Sequence, residues 1–65
     1  MTKKQKQANE QRITKIYGKV ASGIQVPIMK LPAISNAGMS ALLAGGDDEA
    51  IGAAISGLVE TFRIN

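Results

Sequence analysis

The side chains able to do chemistry fall into two groups of opposite sign. Asp47, Asp48 and Glu49 stand in a row, while Arg12, Lys15 and Lys19 are spaced at i, i+3 and i+7. The three acids precede an apolar-periodic stretch, where negative charge meets the exposed N–H groups and positive dipole end of a helix start. Such a position favours the ionised carboxylate and works against the raised pKa that a general acid needs. The chain has no histidine and no cysteine. A serine nucleophile therefore lacks an imidazole to activate it, and the usual zinc ligands are missing. The acids also lack the alternating spacing and distant glutamate of a calcium loop. The reading is non-catalytic, with no metal and no cofactor expected.

The basic triplet is more informative, because its spacing places all three cations on one helix face. That strip can meet phosphates or an acidic protein patch, or serve as a solvated face. Nucleic-acid binding is the weaker alternative. The two aromatic residues, Tyr17 and Phe62, both fall on apolar stripes, which leaves no stacking platform for single strands. Gln5, Gln7, Asn9, Gln11 and Arg12 could read base edges, but no helix-turn-helix or zinc-finger pattern frames them. A second alternative groups Lys19, Ser22, Gly23 and Gln25 into a small polar corner. Copies of it converging in an oligomer could sequester an anionic small ligand such as a nucleotide. Ile28, Met29 and Leu31 are candidate apolar anchors for a partner or for self-association, methionine being adaptable to irregular surfaces.

The elements that must position these residues are helices. Ile13, Tyr17, Val20 and Ile24, with Ile16 beside them, recur at the helical period and predict helix 1 over about 3–22. The apolar seam stops at Ile13, so residues 1–12 form a polar, basic arm projecting from the core. Ser22-Gly23 supplies a helix stop. The segment from Ile24 to Pro32 carries two prolines and reads as an apolar connector packed against something. Ser35 or Asn36 is the expected cap of helix 2, about 35–44, a charge-free helix ending at Gly45-Gly46. Ile51, Ile55, Leu58 and Phe62, widened by Ala54 and Val59, define helix 3 over about 48–63.

A 65-residue chain is a single domain at most and buries a small fraction of its surface. Without disulfides or a metal, the remaining staple is self-association or a permanent partner. The formal charge is +3, concentrated in the first third, so the molecule presents a positive and a negative region. No signal-peptide pattern follows the charged N-terminus, and no apolar run is long enough to span a membrane, so a cytoplasmic setting without membrane contact is expected. The expectation is an all-α three-helix domain, stabilised by oligomerisation, that docks on a larger macromolecule as an accessory or inhibitor-type protein.

Overall fold

A computed structural model describes residues 2–64, so Met1 of the arm and Asn65 of the domain lie outside the described residues. Three helices form, α1 (Lys3–Val20), α2 (Leu31–Leu43) and α3 (Asp48–Phe62), with a 3-10 turn at Ile28–Lys30 leading into α2. The all-α reading holds.

The start of α1 is fixed locally. Thr2 Oγ1 accepts from the Gln5 backbone N–H at 3.1 Å while Gln5 Oε1 accepts from the Thr2 N–H at 3.2 Å, a reciprocal capping box. This pair explains how a segment with no apolar seam is helical from its third residue. At the other end, the Ala21 N–H reaches Tyr17 O at 2.8 Å and the chain turns through Gly23, whose φ of 77° favours glycine. The helix therefore stops at Val20, two residues short of the expected boundary.

The start of α2 corrects the expectation more substantially. Ser35 and Asn36 lie inside the helix and cap nothing; α2 begins four residues earlier, at Leu31. Pro32 sits in the first turn, where a missing N–H costs no intrahelical bond and a fixed φ suits the helix. Proline here opens a helix, where the sequence pattern suggested an interruption. The added turn brings Ile34 into the core at 1% exposure.

The end of α2 is a Schellman motif: the Gly46 N–H donates to Ala41 O at 2.9 Å and the Gly45 N–H to Leu42 O at 3.0 Å. Gly45 has a φ of 87°, and a Cβ on Gly46 would lie 2.8 Å from Ala41 O. Asp47 then caps α3 through Oδ1, which accepts from the Ala50 N–H at 2.9 Å.

The core is small and entirely aliphatic. Ile13, Ala21, Ile34, Ile51, Ile55 and Val59 are buried, with Ile16, Tyr17, Val20, Met39, Leu42, Leu58 and Phe62 packed around them. The helices meet at Gly38, whose missing Cβ would stand 3.2 Å from Ile13 Cγ2 and 3.1 Å from Ile55 Cδ1. Arg12 of α1 faces Asp48 of α3, and Ile16 and Val20 approach Gly52, so these two helices touch and run in the same sense, with α2 antiparallel to both.

Candidate functional surface

The basic strip lies on the outer face of α1, where the apolar seam facing α2 and α3 leaves polar positions toward solvent. Arg12, Lys15 and Lys19 are all exposed. Arg12, however, has a partner 36 positions away: its Nε donates to Asp48 Oδ1 at 2.7 Å, and its Nη2 also contacts that oxygen. The side chains are 44% and 70% exposed, so the pair contributes at most about 1 kcal/mol and is screened by salt. It ties the middle of α1 to the start of α3 and occupies the guanidinium. Lys15 and Lys19 are what the strip offers to another molecule.

Before Arg12, α1 carries Lys3, Lys4 and Lys6, and residues 2–12 are exposed apart from the half-buried Asn9. The first buried side chain of α1 is Ile13.

The connector divides into two halves. Ile24, Val26 and Pro27 are half-buried, and the C-terminal chain is tied to them by the Ile64 N–H donating to Gln25 O at 2.7 Å. The following turn is uncovered, with Ile28 at 82% and Met29 at 89% exposure. Aliphatic content implied a packed connector throughout; in its last turn Ile28 and Met29 are left uncovered. The reason is geometric. Pro27 is in the extended conformation, and the 3-10 turn after it carries Ile28 and Met29 away from the core while Lys30 folds back, Nζ 5.1 Å from the centre of the Phe62 ring. Leu31 lies at the edge, bordering an open cleft of about 290 Å³ between α1 and α2 that is also lined by Ile13, Thr14, Tyr17, Ile34 and Ser35.

That cleft was not foreseen, because it depends on Leu31, Ile34 and Ser35 belonging to one helix. Its walls are mostly hydrocarbon and include no charged side chain, so it suits an apolar group and not an anion. Lys19, Ser22, Gly23 and Gln25 stand elsewhere. They are exposed around the turn that ends α1, and they line neither this cleft nor the shallow concavity along α1 formed by Gln7, Glu10, Gln11, Thr14 and Lys15.

Among the described residues, no cluster of three acids, histidines or cysteines is arranged to hold a metal, and no helix is long and apolar enough to cross a membrane. Asp47 and Asp48 are each engaged, one as a cap and the other with Arg12. Comparison with protein-family models, curated proteins and solved structures returned no match.

Proposed function

We propose that this chain is a non-catalytic interaction protein that assembles with itself and docks on a larger, acidic macromolecule. The observation that carries this reading is the 3-10 turn, where two large apolar side chains, Ile28 and Met29, are more than four-fifths exposed in a molecule with few apolar side chains to spare for its core. Isolated apolar residues on a surface are ordinary. Two on one turn, continuous through Leu31 with an apolar cleft, form the kind of patch that marks a protein interface. Lys15 and Lys19 provide a separate, electrostatic surface that accelerates encounter with an acidic partner.

The test is capture on immobilised protein, comparing the native chain with a Lys15→Glu, Lys19→Glu variant. Both positions are exposed, so the helical circular dichroism should be unchanged. Bound material should fall at least tenfold, and equal capture by the two proteins would overturn the role of the strip. Recording absorbance at 260 and 280 nm on the eluate separates a nucleic acid from a protein, since a chain with one tyrosine and no tryptophan contributes little to either.

A further inference from the structure

The exposed large apolar side chains described are Ile28, Met29 and Leu31 at one end of α2, Leu43, 60% exposed, at its other end, and Ile64 after α3. The Ile64 N–H is bonded to Gln25 O, three residues before Ile28, so Ile64 belongs with the first end. A helix of 13 residues separates the two ends by roughly 20 Å, so they lie on opposite ends of the helical body. Their electrostatic settings are opposite as well. Beside Ile28 and Met29 stand Lys30, held over Phe62, and Arg63, whose partner Glu60 offsets one of the two charges. Beside Leu43 come Asp47, Asp48 and Glu49, of which only Asp48 is matched by a described cation, Arg12. One end is a protruding apolar turn with net positive charge. The other is an apolar shelf, Leu43 with the exposed Ala44 and Ala50, next to the acids of the α3 start.

We propose that these two ends are the halves of a single interface, and that the occupant of the Ile28–Met29 turn is the Leu43 end of a second copy of this chain. This rests on the interaction-protein reading and names the partner of its apolar anchors. Charge complementarity selects the arrangement. Pairing two Ile28–Met29 ends about a two-fold axis would set Lys30 and Arg63 of each copy against those of the other, whereas a head-to-tail contact sets them against Asp47 and Glu49. Beside Leu43, Ala44 and Ala50 carry single methyl groups, so Ile28 and Met29 can approach the backbone there closely. Lys6, the nearest lysine of the α1 arm, lies about 9 Å along the helix from Arg12. At about the 8 Å screening length of physiological salt its charge is attenuated and not removed, and with Lys15, about 4.5 Å along α1 from Arg12, it leaves the four carboxylates Glu10, Asp47, Asp48 and Glu49 against the three cations Lys6, Arg12 and Lys15. Because each copy uses two different surfaces, an open assembly of any length leaves one of each unfilled at its two ends. The assembly closes as a ring where the rotation permits and otherwise extends.

The experiment is light scattering on the full chain across a concentration series, with two variants. Ile28→Ser with Met29→Ser removes the protruding turn, and Leu43→Lys removes the shelf. The substituted positions are exposed, and lysine is favoured at the end of α2 by the helix dipole, so both variants should keep the native circular dichroism. The native chain should show a mass of at least three copies. Each variant alone should be monomeric, and an equimolar mixture should give a one-to-one pair and nothing larger, because one intact turn and one intact shelf remain between them. A monomeric native chain would overturn the proposal, as would an assembly that survives Leu43→Lys. Capture through Lys15 and Lys19 is read in a separate experiment, so loss of that binding with native mass intact would fall on the docking role alone.

Discussion

Helix α3 and the turn before α2 have similar aliphatic character and opposite fates. In α3, Ile51, Ile55 and Val59 return to the same face every four residues, and all three are buried. Around Pro27, Ile28 and Met29 are adjacent, have no helical repeat, and are the two most exposed large apolar side chains described. Hydropathy alone does not separate the two segments; spacing does. A side chain is buried where its neighbours at i±3 and i±4 present the same face to another helix. Adjacent apolar residues on a tight turn have no such repeat, and here neither Ile28 nor Met29 is covered by a helix of its own chain.

The comparison is sharpest at two isoleucines. Ile55→Ala should cost about 2–5 kcal/mol, because it opens a cavity between Gly38, Ile13 and Ile34 that surrounding helices cannot fill. In a domain this small that is enough to unfold most of the population, visible as loss of helical circular dichroism at 25 °C. Ile28→Ala should move the midpoint of thermal unfolding hardly at all when measured at concentrations where the chain is monomeric, an effect within about 0.5 kcal/mol. A large loss at position 28 under those conditions would mean that the turn packs within the chain, and the contrast would collapse.

Gly38→Val should be next in size. The valine methyls would enter space already held by Ile55 Cδ1 and Ile13 Cγ2, and overpacking of this kind costs about 1–3 kcal/mol. Urea unfolding would show a lowered midpoint. Asp47→Ala should cost about 1 kcal/mol, the usual value of a side-chain cap, and should fray the first turn of α3 in hydrogen exchange at Ala50. Arg12→Gln should have a small effect, below about 1 kcal/mol and absent at high salt, since its ion pair with Asp48 is solvated on both sides.

The sequence pattern carried α3 nearly residue for residue, because its acidic start, four-residue repeat and terminal aromatic are all local signals. The capping box of α1 is equally local in Thr2 and Gln5, but no apolar seam follows it to mark a helix start. The start of α2 was misplaced because proline bears two opposite meanings. It interrupts a helix interior and suits a first turn, and only the packing of Ile34 against α3 decides between them. For the candidate surface, the spacing of Lys15 and Lys19 was legible as a helix face. The withdrawal of Arg12 into an ion pair was not, since no local pattern links position 12 to position 48. The apolar cleft beside Leu31 was hidden for the same reason, its walls coming from two separate helices.

Gly38 has a consequence beyond its contact distances. Among the described residues no polar or charged side chain is buried, so nothing in the core must find one unique partner, and oily helices of this kind are free in principle to slide past one another. A slip of α2 by one turn, about 5.4 Å, would bring Ile34 or Leu42 to the point where three helices now converge on a residue without a side chain. Neither would fit. The glycine acts as a detent, the single notch on α2 that lets the other two helices close, and it gives an otherwise featureless oil drop one definite register.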